Sequence, residues 1–300
     1  MSLRDVVRRD LYNAYRARGG LWSSLRVFLV VVVPGYYLID GLTGPRADVY
    51  RQALRVYELQ PVRPEAQLPS HTDAFVILMG LLIGLLVPLL VMLDASDAVV
   101  AERQDGTMKL LLTLPNSRAD VFFGKVAARS LLVLIPLIGG LAVLAVVAQV
   151  LAGAVPWEAL VGLVAFSTLL VVCFVGIGVA ISAMASSTRG AVQTGLGAYF
   201  VLGPLWRVFE YVLVLMGVTS SKLAPLVGWA LFVGELGSPV WTAMAALELL
   251  LEPGTRWPTM FAWFGGDGLG DPRLWVGVVL AWLVSFLVLG YLAFRRADLG

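Results

Sequence analysis

Apolar residues in this chain fall in long runs rather than in the narrow stripes of a soluble protein. A helix rises 1.5 Å per residue and the hydrocarbon core of a bilayer is about 30 Å thick, so a crossing takes roughly 20 mostly apolar residues. Six runs meet that length, at 21–42, 74–93, 130–155, 159–187, 191–217 and 274–294. The pattern predicts an all-α polytopic membrane protein with six transmembrane helices, built as a single transmembrane domain over 1–300.

Between the runs the pattern changes twice. Residues 43–73 are polar and carry Pro45, Pro61, Pro64 and Pro69, a surface excursion with one short helix expected at 49–59. In the segment 218–273, the pieces 223–234 and 236–247 are uncharged but too short to span, and Glu235, Gly237 and Pro239 split them. They read as re-entrant or interface-lying helices, because backbone in lipid must satisfy its own hydrogen bonds. The rival count makes them a seventh and eighth span.

At the start, over 1–20, Leu3, Val6, Val7, Leu11, Ala14 and Tyr15 recur at i, i+3, i+4 spacing, with Arg4, Arg8, Arg9 and Arg16 around the polar side. This predicts an amphipathic helix lying on the membrane surface. Its role stays open between an electrostatic anchor and a contact for a partner. Lys and Arg orient the whole: with the N-terminus inside, the inner segments hold fourteen of them and the outer segments seven. Both termini are therefore expected in the cytoplasm, beneath the plasma membrane.

Composition agrees with the pattern. Hydrophobic residues make up 59% of the 300, charged residues only 14%, and mean hydropathy is +0.85, against about 25% charged in soluble domains. A net charge of +2, with no basic run interleaved with aromatics, gives no reason to expect nucleic acid. The one cysteine, Cys173, lies in an apolar run and excludes a disulfide framework, and no short apolar core with a cleavage site marks the N-terminus as a removed signal. His71 stands alone, so a zinc site of the H-E-x-x-H kind is absent, as is a G-x-S-x-G nucleophile elbow. "GGDGLGD" at 265–271 reads as an outer turn. No metal site and no catalytic constellation are expected.

The densest charge and turn chemistry lies over 98–125, in "ERQDGTMKLLLTLPNSRADVFFGK" at 102–125. Gly106 tolerates the left-handed conformation that ends a helix. Met108, Leu111, Leu112 and Leu114 then give an apolar side to a short helix that Pro115 stops. Ser117 followed by Asp120 is a capping signature that restarts a helix toward the third span. A short transverse helix between two breaks, joined rigidly to two spans, can transmit force.

These residues resemble the E-R-x-x-G-T-x-x-x-L-L-x-x-P-x-S-R-x-x-x-x-x-G-K signature of ABC-2 type transporter permeases, most closely single-subunit permeases of prokaryotic efflux systems. The resemblance implies that this segment is a coupling element touching a separate ABC ATPase subunit, with Glu102, Arg103, Gly106, Thr107, Leu111, Leu112, Pro115, Ser117, Arg118, Gly124 and Lys125 on the signature. The chain has no G-x-x-x-x-G-K-[ST] phosphate loop. No cofactor is expected in it, and ATP and Mg would be bound by the partner ATPase. Two membrane halves would be needed, supplied by a homodimer or by a paired homologous permease.

Inside the membrane, Arg207 and Glu210 stand three apart on one helical face. A charge at mid-bilayer costs at least about 2.5–3.5 kcal/mol unless paired or facing a cavity. One reading is a salt bridge that steadies the bundle; the other is a lining or gate of a translocation path. Gly80 and Gly84 form a G-x-x-x-G pair, and Gly176, Ala180, Ala183 and Ser187 a second small face, suited to packing within one subunit or to a dimer seam. The alternative function from this chemistry is a secondary transporter using the Arg/Glu pair.

Overall fold

A computed structural model describes residues 3–16, 19–45, 47–49, 70–106, 117–216, 236–250 and 272–296. The described residues are helical, as the apolar runs require. The amphipathic helix α1 covers Leu3–Arg16. It is followed by α2 at Gly19–Thr43, α3 at His71–Ala95, a short α4 at Val100–Gln104, and α5 at Arg118–Ala152. Next come α6 at Trp157–Met184, α7 at Thr188–Leu202, α8 at Pro204–Leu215, α9 at Pro239–Ala246 with a 3-10 turn at Leu247–Leu250, and α10 at Pro272–Arg296.

Among the described residues, five helices, α2, α3, α5, α6 and α10, are long and apolar enough to cross a membrane. The fifth expected span, 191–217, is instead two helices, α7 and α8, each shorter than a crossing needs. The chain breaks at Gly203–Pro204. Proline has no N–H to give and clashes with the carbonyl four residues back, and Gly203 takes a backbone conformation (φ −130°, ψ −98°) that is not helical. Pro34, Pro88 and Pro136 lie inside unbroken helices, so proline alone does not decide the break. What holds it open is described below.

The bundle centres on α3 and α6, the most buried of the long helices. Around them pack α2 and α5, which lie against each other, then α10 against α6, and α7 beside α3. Small residues set these approaches. At Gly178 on α6 a side chain would meet Ala95 at 2.7 Å from its Cβ and 3.2 Å from its backbone carbon, an overlap that backbone cannot relieve. Gly176 and Ala180 of the small face lie against Gly290 of α10, within one subunit. The short helix α9, expected as a re-entrant or interfacial piece, has every residue from Pro239 to Ala245 buried, wedged between α3, α6 and α10.

Candidate functional site

The bundle has one charged end, where α1, α4 and the start of α5 meet. Its centre is Lys125, seven residues into α5, whose side chain is only 2% exposed. The ammonium carries three donors, and three acceptors meet it. They are Glu102 Oε1 at 2.8 Å, the Ala98 carbonyl at 3.1 Å and Asp10 Oδ2 at 3.3 Å. Arg9 donates to Asp10 Oδ1 at 2.7 Å and to Glu102 Oε1 at 3.4 Å. Arg9, Asp10, Lys125 and Glu102 thus form a closed ring of alternating charge drawn from α1, α4 and α5.

The neighbouring elements steady this ring. Val99, at the N-cap of α4, has no side chain that can cap, and the hydroxyl of Ser182 on α6 accepts from the Val99 and Val100 amides at 2.9 and 3.0 Å instead. Arg103 donates to the Ala185 carbonyl at the end of α6, and Thr188 at the start of α7 donates to Gln104 Oε1 at 2.8 Å. A second charged group sits beside the ring: Asp94 accepts from Ser23 and from Arg26 at 2.9 Å. Arg129 donates to the Asp94 carbonyl at 2.7 Å and lies 3.8 Å from Asp97. Between the two groups lies a cavity of about 470 Å³ whose walls include Asp10, Trp22, Arg26, Asp94, Glu102 and Arg129. Among the described residues no three His, Cys, Asp or Glu side chains converge as a metal site would need.

The signature residues divide by position. Lys125 and Gly124 are buried, Glu102 and Arg103 half-buried, and Ser117 and Arg118 exposed, as are Gln104 and Asp105 at the signature's variable positions. Gly106 has φ +75°, the left-handed turn expected of it. Ser117 caps α5 in a full capping box with Asp120, the hydroxyl accepting from the Asp120 amide at 3.0 Å. Arg118 donates to the Arg295 carbonyl at 2.7 Å, tying α5 to the end of α10. Thr107, Leu111, Leu112 and Pro115, with the rest of the expected transverse helix, lie outside the described residues. So do the expected helix at 49–59 beyond residue 49, the piece 223–234 and the turn at 265–271. Arg207 and Glu210 belong to α8, and their side chains lie outside the description. Gly80 and Gly84 are buried on α3, where a side chain at Gly84 would overlap Met244 of α9.

Around the break between α7 and α8 the bonds are made by neutral groups. The break in α7–α8 frees the carbonyls of Leu202 and Gly203. Ser238, at the N-cap of α9, donates to the first, and the Trp241 indole donates to the second at 2.8 Å. Tyr199, just before the break, donates to the Leu85 carbonyl at 2.7 Å, and Trp282 of α10 donates to Leu236 at 2.8 Å. A separate apolar cavity of about 360 Å³ opens between the end of α2, the start of α3 and the end of α5, with His71 on its wall beside Leu42.

Asp10, Ser182 and the Ser238–Trp241 pair were not marked by sequence reasoning. Asp10 had a signal available: an acidic residue mid-way along a mainly basic amphipathic helix, past the first turn where Asp5 sits, with no reason to face an anionic surface. Ser182 had none, since a serine in an apolar helix ordinarily bonds back to its own turn.

The profile described as ABC-2 family transporter protein matches residues 5–299. Among curated proteins the chain is similar to the probable ABC transporter permease protein NosY of Pseudomonas aeruginosa. The two are 34% identical over 180 residues, covering 56% of this chain and 59% of that protein. It is also similar to the probable ABC transporter permease protein NosY of Stutzerimonas stutzeri, 29% identical over 313 aligned positions, covering 97% of each. The chain thus spans about three fifths of the first relative in that match and nearly all of the second.

Proposed function

The chain belongs to the ABC-2 transporter family and is a membrane permease subunit of an ABC transporter, and from that premise we propose that it is the permease of an ATP-driven exporter in a prokaryotic plasma membrane. Its charged end and both termini face the cytoplasm. It works as a dimer with a second copy or a paired homologue. A separate ATPase subunit, which binds ATP and Mg and carries out the hydrolysis, docks on the segment 102–118.

The observation that carries this reading is the way the signature is mounted. Its two ends are pinned inside the bundle through Glu102 and Lys125, while the residues bordering residues 107–116, namely Gln104, Asp105, Ser117 and Arg118, are exposed. A segment held at both roots, with exposed residues beside each root, can receive a push without unfolding. Its roots lead directly into α3 and α5, the second and third spans, so a displacement there tilts both. At the far end, the α7–α8 break and the buried α9 supply a hinge and a wedge suited to opening an exit.

The test uses the complex purified from its native membrane through a tag on the permease. An ATPase subunit is expected to co-purify, and its hydrolysis to be stimulated by the permease. Gly106→Val puts a β-branched residue where φ is positive, a conformation such residues avoid. It is expected to lower that stimulation while membrane yield is unchanged. Transport by the purified permease without any ATPase, or full stimulation in Gly106→Val, would overturn the coupling role.

A further inference from the structure

We propose that the polar cavity beside the ring is a binding site for the headgroup of phosphatidylethanolamine, taken from the membrane leaflet at the charged end. The proposal needs only that the chain crosses a bilayer, and it is independent of where an ATPase docks.

The cavity encloses about 470 Å³, within the range of sites that hold small molecules. Its lining is graded along the helices. Arg26, Asp94, Asp97 and Arg129 bring charge to its walls. About one turn deeper into the bundle, Val91 on α3 and Leu132 and Val133 on α5 line it with buried apolar side chains. Trp22, in the first turn of α2, is on its wall and 65% exposed, and tryptophan gathers at the headgroup level of a bilayer. A ligand with a charged head and an apolar continuation suits such a lining.

The charges name the head. Asp10 and Glu102 are already held by Lys125 and Arg9, and Asp94 accepts from Ser23 and Arg26. Asp97 differs. Its Oδ1 is buried with no hydrogen-bond donor among the described residues, and Arg129 stands 3.8 Å from it, beyond hydrogen-bond reach. A buried acceptor left unmet is costly, so this oxygen calls for an N–H donor. The two guanidinium groups have the opposite surplus. Each carries five donors, and the bonds described for Arg26 and Arg129 use one on each, to Asp94 Oδ1 and to the Asp94 carbonyl. Their planar forks match phosphate oxygens. The cavity thus lacks a cationic donor at Asp97 and an anionic acceptor at the two arginines. A primary ammonium joined to a phosphate by a short link answers both. The quaternary nitrogen of a choline headgroup has no N–H to give Asp97, and a glycerol headgroup offers the phosphate without the cation.

The experiment is native mass spectrometry of the full chain in detergent, delipidated and then offered dioleoyl phosphatidylethanolamine, phosphatidylcholine or phosphatidylglycerol. One phosphatidylethanolamine per chain should be retained, with at least about tenfold preference over the other two. Asp97→Asn removes the carboxylate charge at nearly constant shape, and retention should fall by a factor of about ten to a hundred, as loss of a hydrogen bond to a charged group implies. Gly19 is also on the wall, and a Cβ built there meets nothing within 4 Å. Gly19→Leu should therefore occupy part of the space and abolish the one-to-one complex, while the unfolding midpoint of the delipidated chain stays unchanged.

Equal retention of the ethanolamine and choline lipids would overturn the proposal and leave only capture of acyl chains. Tighter binding of phosphatidylglycerol would overturn it in favour of two arginines that take any lipid phosphate. Displacement of the lipid by free phosphoethanolamine at the same concentration would make the ligand a soluble one. A preference that survives Asp97→Asn, or a complex that survives Gly19→Leu, would place the lipid elsewhere on the chain.

Discussion

The two places where the bundle's helices are interrupted solve the same problem with opposite chemistry. Each must hold a backbone that is not a continuous helix. At the charged end, the chain leaves α3, makes the short α4 and re-enters at α5, and a ring of four ionised side chains ties these pieces to α1. At the far end, the chain breaks at Gly203–Pro204, and two neutral donors from α9 satisfy the carbonyls that the break exposes. Ion pairs of low exposure are stiff, because separating them leaves buried charge. Neutral hydrogen bonds between membrane helices are worth little each, about 0.6 kcal/mol on average, so they can be exchanged. On that chemistry the charged end resists separation more strongly than the α7–α8 break.

The sharpest way to break that contrast is at Lys125. Lys125→Met keeps the length and apolar stem of the side chain but leaves Asp10 and Glu102 facing each other without the ammonium. Loss of one partner from a buried ionic group costs about 3–5 kcal/mol, and the thermal unfolding midpoint of the purified chain in detergent should fall accordingly. Adding Glu102→Gln to Lys125→Met should recover part of the loss. A sum of independent effects from the two substitutions would show that the ring is not a unit.

Ser182→Ala tests whether the charged end also depends on neutral bonds. It removes the acceptor shared by the Val99 and Val100 amides, and leaving such buried groups unsatisfied costs about 1–3 kcal/mol. The loss should appear as faster amide exchange at the start of α4, ahead of any global change. If exchange at Val99 and Val100 is unaltered, the ring alone positions α4.

Beside the break, Tyr199→Phe keeps the aromatic packing and removes only the hydroxyl that reaches the Leu85 carbonyl. The expected cost is about 0.6 kcal/mol and at most about 1.7 kcal/mol, smaller than at Lys125 or Ser182. Unfolding measured alongside Lys125→Met gives the ratio directly. A Tyr199→Phe loss as large as that of Lys125→Met would mean that the far end is as rigid as the charged one.

How far these features were legible in the sequence follows from their range along the chain. The long helices were readable because hydropathy is local and a crossing needs a fixed length. The break in the fifth span was not. Apolar residues continue on both sides of Gly203–Pro204, other prolines sit in intact helices, and the groups that stabilise the break lie more than thirty residues away at Ser238 and Trp241. The brevity of α9 was readable, but not its burial, which depends on Gly84 and the neighbouring helices leaving room for it. In the candidate site, Gly106 and the Ser117–Asp120 cap were readable because each acts within one turn. Glu102 and Lys125 were marked by the resemblance as members of the signature, but their meeting was not, since it is made across the loop. Asp10 escaped notice because the amphipathic pattern counts apolar and basic positions and passes over the acid.

The smallest expected effect separates charge from burial within the charged end itself. Arg26 binds Asp94 at 2.9 Å, close to the length of the Lys125–Glu102 contact, yet its side chain is 46% exposed where that of Lys125 is 2%. An exposed pair gains little Coulomb energy in high dielectric and is screened by salt, so it contributes about 0.2–1 kcal/mol. Arg26→Gln should therefore lower the unfolding midpoint only slightly, and raising the salt from low to about 1 M, where screening acts over about 3 Å, should erase the difference from the unsubstituted chain. The loss in Lys125→Met should persist at the same salt, because the Lys125 side chain is itself buried and salt screens a buried charge far less. A salt-resistant loss at Arg26 would place Asp94 in the same stiff unit as Asp10 and Glu102, and that unit would then hold α2 directly through Arg26.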